Sequence, residues 1–555
     1  MQRIMTRSKA MIGIALAGLL AVTAAGCAGG DDGSNGSEGG GDAASTFVYA
    51  ASADPITLDG AYVSDGESLR PIRQIFDTLV TTKPGTTTLA PQLAKSWKPD
   101  ASSKVWTFNL EEGVKFTDGT ALDADAVCAN FERWFGFKSP AQQTAAYYWA
   151  TVFTSFKDKA KDSLFKSCEA TDATTVVVSL TKGSASFISA MTMPSFSIAS
   201  PTALEKYKAD EVGGSPEQPQ FKGTFGNKNP IGSGPFMLES WNRGDKLTLV
   251  RNDDYWGKKA SLEKVIVRSI PDGTARRQAL ESGEIDGYDN AAPGDIQPLK
   301  DKGFQLLERP AFNVAYVGFQ QEKKPFDDPL VRQAVAHALN KKALLKAKYP
   351  PGAQEAKEFV PPTLNGFADD VPTYDYDPAK AKQLLKQSGD PNPTVEFWYP
   401  TNVSRPYMPD PQANFQAFKR DLEAVGFKVK PKSMPWDSGY TTTLQAGRAP
   451  MYLLGWNGDF GDADNFIGTF FQGDQPQFGV KKSSKMTELL NAAETETDPA
   501  KRTEIYKDAN REIMKNVPGV PYVNVVGSIP LDKKVKGYVP DPLTNERFNT
   551  ITIEE

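Results

Sequence analysis

The stretch Met451 to Phe471 reads MYLLGWNGDFGDADNFIGTFF and puts an indole, Trp456, and three carboxylates, Asp459, Asp462 and Asp464, directly behind a short apolar run. Met451 to Leu454 is expected to end a buried strand, and the glycine-flanked residues after it to form a loop. A carboxylate beside a large ring at a strand end suits close approach by a small ligand. The same residues also fit a plain surface turn with solvated aspartates. A second candidate is WYPTNVSRPY, Trp398 to Tyr407, where Pro400 and Pro406 forbid a continuous helix. It is expected to be a loop after a strand, presenting Arg405 among aromatics. A surface arginine stacked on Tyr407 is the alternative.

Taken together, these groups form a reader of opposite charges. Arg405 can grip a carboxylate with its planar fork, and Asp459 can accept hydrogen bonds from an ammonium. A short peptide carries both ends. Trp436, Trp456 and Tyr407 can cover its backbone and side chains without dictating their identity. Catalytic readings find less support. The three aspartates could supply an acid/base pair or a calcium loop, but the EF-hand glycine and terminal glutamate are missing, as are HExxH and GxSxG. Gly232, Ser233 and Gly234 lack phosphate-loop spacing. The single histidine, His337, lies beside an apolar helix stripe and is read as structural. No cofactor and no metal are called for.

The elements that position these loops are legible as an α/β pattern. Strands are expected at Thr394 to Tyr399, Lys428 to Pro431 and Met451 to Leu454, alternating with helices, which implies a mostly parallel sheet. Three helices open on Asp-Pro, at Asp328-Pro329, Asp377-Pro378 and Asp498-Pro499. There aspartate caps free backbone N–H groups and proline takes the first helical position, where it has no donor to lose. Another helix is expected over Asn414 to Val425, ended by Gly426. Earlier, Trp106, Phe108 and Leu110 alternate with polar residues as a half-buried strand, and Asp123 opens a helix.

The chain has 555 residues, more than one hydrophobic core usually supports, so more than one folding unit is expected. A net charge of −5 argues against nucleic acid as a partner. At the start, Arg3, Arg7 and Lys9 precede an apolar run from Met11 to Val22 that is too short to span a membrane, followed by small residues and Cys27. This reads as an export signal. The Gly/Ser/Asp-rich segment after it reads as a flexible tether spanning roughly 20–25 Å. In an exported protein the remaining Cys128 and Cys168 are expected to pair, two free buried thiols being the alternative.

Three passages carry a family resemblance: LAPQLAKSWKPDASSKVWTFNLEEGVKFTDGTALDADAVCANFERW, PIGSGPFMLESWNRGDKLTLVRNDDYWG and ARRQALESGEIDGYDN. They resemble the extracytoplasmic solute-binding proteins of peptide and nickel ABC importers, family 5, although Thr117 stands where relatives usually carry histidine. YPTNVSRPYMPDP and GWNGDFGDADNF are similar to the dipeptide-binding branch, with Ala463 in place of a frequent proline. The Ala-Gly-Cys ending of the signal resembles a lipoprotein lipobox, with Ala24 at a usual leucine position. It implies a lipidated Cys27 on the outer face of the cytoplasmic membrane; an ordinary signal cleaved elsewhere is the alternative.

The resemblance implies a two-lobed, hinged α/β fold of the periplasmic-binding-protein type. Its parts would be a signal peptide (1–26), lipidated cysteine and tether (27–45), lobe I (46–88), an inserted subdomain (89–195), lobe I again (196–305), lobe II (306–525) and a return to lobe I (526–555). It also implies Asp459 on a peptide amino group, Arg405 on its carboxylate, pocket aromatics at Tyr407, Trp436 and Trp456, and a monomer that delivers ligand to a membrane permease. Other ligands on the same scaffold, a longer peptide, metal chelate, haem or glycoside, stay open, as does, more remotely, a secreted carboxylate-dependent hydrolase.

Overall fold

Strand pairing divides the chain into two lobes. In this computed structural model, residues 45–554 apart from Glu217 are described. The expected signal, Cys27 and nearly all of the tether lie outside them. No helix among the described residues is long and apolar enough to cross a membrane.

Lobe I is built on a seven-stranded sheet in the order Phe236–Asn242, Lys246–Arg251, Lys264–Ser269, Thr46–Ala51, Gly287–Tyr288, Gly527–Leu531, Gln305–Arg309. Lobe II is built on a five-stranded sheet in the order Lys428–Pro435, Thr394–Thr401, Met451–Asn457, Asn313–Phe319, Gly519–Val523. The chain therefore crosses between lobes at 310–312 and 524–526. Leu306 pairs with Pro530 in the lobe I sheet, so lobe II starts after Arg309 rather than at 306. Asn313 fastens the two crossings together. Its amide donates to the Val525 carbonyl (2.8 Å), its side-chain oxygen accepts from the Val525 N–H (2.8 Å), and its own carbonyl accepts from the Asn524 amide (2.7 Å).

Asn313–Phe319 is buried along its whole length. Val314 and Tyr316 enter one hydrophobic cluster, while Ala315, Val317 and Phe319 enter another, so helices cover both faces of the sheet. Lys428–Pro435, Thr394–Thr401 and Met451–Asn457 run parallel, as expected, while Asn313–Phe319 runs against Met451–Asn457. The three expected Asp-Pro helices are all capped by their aspartates, and the helix expected from Asn414 starts one turn earlier, at Pro411, on a fourth Asp-Pro pair, with Asp410 accepting from the Ala413 N–H.

A four-stranded antiparallel sheet, Ala94–Pro99, Val105–Leu110, Thr175–Leu180 and Phe165–Asp172, forms the inserted region. Trp106, Phe108 and Leu110 point inward as their alternation requires. Asp123 caps the helix Ala124–Phe135, whose Cys128 is joined to Cys168 on the neighbouring strand by a disulfide of S–S 1.99 Å.

Candidate functional site

Three parallel strands of lobe II end at one edge, with Thr401 opposite Pro435 and Trp398 opposite Tyr452. The segments leaving that edge carry Arg405 and Tyr407, then Trp436, then Asp459. This is the crevice position in which open α/β sheets take ligands. The strands outrun their sequence-based limits. Gly455, Trp456 and Asn457 stay paired with Ala315, Val314 and Asn313, so Trp456 sits on the strand and the loop begins at Gly458. Gly455 is required there: a Cβ would stand 2.3 Å from Cδ2 of Tyr407, whose ring lies on the strand. Thr394–Thr401 and Lys428–Pro435 likewise run past Tyr399 and Pro431. Lys428–Pro435 is the sheet edge, which tolerates Pro431.

Asp459 is half-buried. Its Oδ1 accepts from the Tyr148 hydroxyl at 2.8 Å, and its Oδ2 from the Asn465 amide at 3.4 Å. The Asn465 oxygen in turn accepts from the Asp459 N–H (2.7 Å) and from the Trp456 indole (3.4 Å). Burial pushes the Asp459 carboxyl up to about 6, against the pull of the Tyr148 and Asn465 bonds. Tyr148 lies in the first turn of the short helix Tyr147–Phe153 of the inserted region, so this bond crosses from one lobe to the other. Sequence reasoning missed it; the signal available was the aromatic run Tyr147-Tyr148-Trp149.

Around this bond the lobes exchange apolar side chains. Phe460, next to Asp459 in the lobe II loop, is buried in the hydrophobic cluster of lobe I. Leu543, in the C-terminal return, is buried in a cluster of lobe II. Thr87 donates to the Thr363 carbonyl at 3.2 Å, and the Ala185 N–H donates to the Glu494 carbonyl at 2.7 Å. A carboxylate on lobe II is thereby roofed by lobe I, a closed arrangement in which charge contacts gain strength from the exclusion of water.

Arg405 occupies a tight turn in which it and Met408 exchange backbone hydrogen bonds (3.2 and 2.9 Å). Its guanidinium lies 4.2 Å from the centre of the Trp436 ring, so the stacking partner is Trp436 rather than Tyr407. Its Nε is buried without a hydrogen-bond partner. Trp436 stacks in turn on Tyr440, with ring centres 6.0 Å apart. Tyr407 is a core residue, 5% exposed, whereas Trp456 is half-buried with its ring edge-on to Phe470.

The other sequence candidates turn inward. Asp462 is bound by Arg502 at 2.6 and 3.0 Å, accepts from the Tyr506 hydroxyl, and caps the Asp464 N–H. Asp464 is pushed up to about 7, first by burial and then by the neighbouring Asp462. Both shape the turn. His337 is tied through Nδ1 to the Asp375 carbonyl at 2.8 Å and packs edge-on to Tyr374. No group of three or more His, Cys, Asp or Glu able to hold a metal occurs among the described residues.

Residues 88–478 match the bacterial extracellular solute-binding proteins, family 5, middle region. The chain is 31% identical over 526 residues to a dipeptide-binding protein of Escherichia coli, covering 92% of this chain and 95% of that protein. It is also 31% identical over 521 residues to heme-binding protein A of Haemophilus influenzae, covering 92% of each. Among solved structures, the periplasmic binding protein DppA of Helicobacter pylori, in complex with the peptide STSA, superimposes with a TM-score of 0.73 at 30% identity, covering 92% of this chain and 98% of that one.

Proposed function

Because the chain belongs to the bacterial extracellular solute-binding proteins of family 5, we propose that it captures short peptides between its lobes and presents them to an ABC permease. Asp459 takes the peptide amino group, and Arg405 takes the carboxylate. Trp456 and Trp436 form the walls, with Tyr407 backing them from the core. Binding and closure about the crossings at 310–312 and 524–526 are the whole mechanism, with no covalent step.

One observation carries this reading. Asp459 is a carboxylate roofed by the opposite lobe, and its partners are a hydroxyl and an amide rather than a cation. Such a group is costly until a positive charge arrives, and an ammonium supplies both the charge and the hydrogen bonds. Arg405, with a buried unpartnered Nε and a ring beneath it, offers the complementary end. Haem, which a relative's name introduces, finds less support, since the single imidazole in the chain is already held by Asp375 and Tyr374.

Lipidation of Cys27 would hold a monomer at the outer face of the cytoplasmic membrane. Metabolic labelling with a fatty acid, lost in Cys27→Ala, tests the anchor. For the site, charge reversal Asp459→Lys is expected to cost dipeptide binding ~3–5 kcal/mol, as an unpaired buried charge does. Unchanged affinity by titration calorimetry would remove Asp459 from the site.

A further inference from the structure

Helices Lys341–Lys348 and Pro378–Gln387 cover one face of the lobe II sheet, where Leu344, Ala381, Leu384 and Leu385 join Phe415 and Phe418 in one hydrophobic cluster. Their outer sides carry Lys342, Lys346, Lys348, Lys380, Lys382 and Lys386, all exposed, and neither helix contains an acidic residue or an arginine. The acids around them are engaged elsewhere. Glu355 is bound by Lys341 at 2.9 Å, Asp369 by Lys357 at 3.7 Å, Asp370 by Arg511 at 3.0 Å and Glu423 by Lys419 at 2.6 Å. Asp377 caps the Lys380 N–H, Asp421 accepts from the Asn340 N–H, and Glu358 is buried on the Ala368 N–H. Between residues 341 and 387 the unpaired lysines therefore face Asp375 as the sole carboxylate without such a tie.

Elsewhere on lobe II charge is balanced locally. Helix Pro499–Asn516 pairs Lys507 with Glu504 at 2.7 Å, Arg511 with Asp508 at 2.6 Å and Lys515 with Glu512 at 3.9 Å. By contrast, Lys342 and Lys346, and again Lys382 and Lys386, set like charges at i and i+4, which weakens a helix. Lys346, Lys348 and Lys386 lie in last turns, where the helix dipole favours a cation, but Lys342 and Lys380 lie in first turns, where it does not. Helix stability thus leaves the array unexplained. The whole chain carries −5, so this is a local positive field on an acidic protein, and it calls for an anionic partner.

We propose that this face of lobe II is an interaction surface for a bilayer bearing anionic headgroups. Flexible point charges spread over two helices suit a mobile headgroup layer, whereas a specific phosphate site calls for the planar fork of arginine, which these helices lack. The anchored reading above supplies the proximity, since a tether spanning roughly 20–25 Å keeps the body within reach of the surface. The two helices cover the face of the sheet, while Arg405 and Asp459 leave from its strand-end edge, so this contact leaves the peptide site uncovered. Its role is to set the resting orientation of the tethered body.

The chain from residue 27 onward, carrying Cys27→Ala so that no lipid contributes, is sedimented with two kinds of vesicle. One is phosphatidylcholine alone, and the other is equal parts phosphatidylcholine and phosphatidylglycerol. Binding to the anionic vesicles is expected to be at least ~10-fold stronger, about 1.4 kcal/mol, and to vanish in about 1 M salt, where the screening length falls to about 3 Å. Combining Lys342→Gln, Lys346→Gln, Lys382→Gln and Lys386→Gln should remove the preference and leave peptide affinity unchanged. A control with the same loss of charge on the helices of the opposite face, Lys485→Gln, Lys501→Gln, Lys507→Gln and Lys515→Gln, should keep it. No preference in the parent chain overturns the proposal without reference to any variant. So does an equal loss in the two variants, which makes the effect one of net charge, or a preference that survives in the first. Binding of soluble poly(glycerol phosphate) with none to the anionic vesicles also overturns it, and assigns the face to a polymer instead.

Discussion

The Tyr148 hydroxyl donates to Asp459 Oδ1 at 2.8 Å across a sequence separation of 311 residues, joining the inserted region of lobe I to the strand-end loop of lobe II. The carboxylate proposed to anchor the ligand is thus also a point where the lobes meet. On the proposed reading, a peptide amino group at Asp459 would add a positive charge at the lobe boundary, and binding would thereby favour closure.

Affinity is expected to depend on pH through Asp459. An ammonium needs the ionised carboxylate, and burial has raised this group from 3.8 to about 6. Peptide affinity should be flat above about pH 7 and fall by up to ~10-fold per unit below about 6. Tyr148→Phe removes a bond that favours ionisation, so the midpoint should move upward. Titration calorimetry across this range reads both effects.

Asp459→Asn should abolish dipeptide binding and yet raise thermal stability near neutrality. The folded-state value lies above the unfolded one, so the stability contributed by this group is highest in acid and is lost as pH rises through about 6. The shift is worth roughly 3 kcal/mol in full, or about 1–2 kcal/mol once partial exposure is allowed for. Melting curves of the two proteins should separate near pH 7 and converge near pH 4.

Phe460 and Leu543 test closure apart from charge recognition. Phe460→Ala and Leu543→Ala leave Asp459 and Arg405 in place but remove the side chains that the lobes exchange. Each should weaken peptide affinity by ~10-fold or more, as loss of a buried apolar contact of ~1.5–3 kcal/mol implies. Small-angle scattering should show a ligand-saturated protein that stays more open than the wild type.

Glu358 gives lobe II its own pH dependence. It is 1% exposed, accepts from the Ala368 N–H at 2.6 Å, and is raised by burial to about 9. Stability should therefore decline as pH rises from about 5 toward 9. Glu358→Gln keeps the acceptor and removes the titration. Its gain near pH 8 should be on the order of 1–3 kcal/mol, net of the buried amide it introduces. Denaturant midpoints against pH check it.

The Cys128–Cys168 disulfide closes a separation of 40 residues within the inserted region. Replacing both with serine should destabilise the inserted region by about 4 kcal/mol. Limited proteolysis should then cut within 89–195 before either lobe.

Features set by local chemistry were legible in the sequence. The Asp-Pro caps, the alternation of Trp106, Phe108 and Leu110, and the strand-end positions of Arg405 and Asp459 all depend on residues close in the chain. The helix expected from Asn414 begins three residues earlier, at Pro411, and its start escapes notice because Pro409-Asp410-Pro411 also looks like a continuing loop. The strand at Met451 was read too short because Gly455 has poor strand propensity; pairing with Asn313–Phe319 overrides it, and the Tyr407 ring needs the missing Cβ. Tyr148 and Phe460 could not be found that way. Their significance comes from a neighbour in the other lobe.

The most direct test compares a dipeptide such as Ala-Ala with its N-acetyl form by titration calorimetry. Acetylation removes the charge that Asp459 is proposed to hold and leaves the carboxylate for Arg405. The expected result is saturable binding of the free peptide and a loss of at least ~100-fold, about 2.7 kcal/mol, for the acetylated one. Equal affinity for the two would contradict the assignment of Asp459 as the anchor of the amino end.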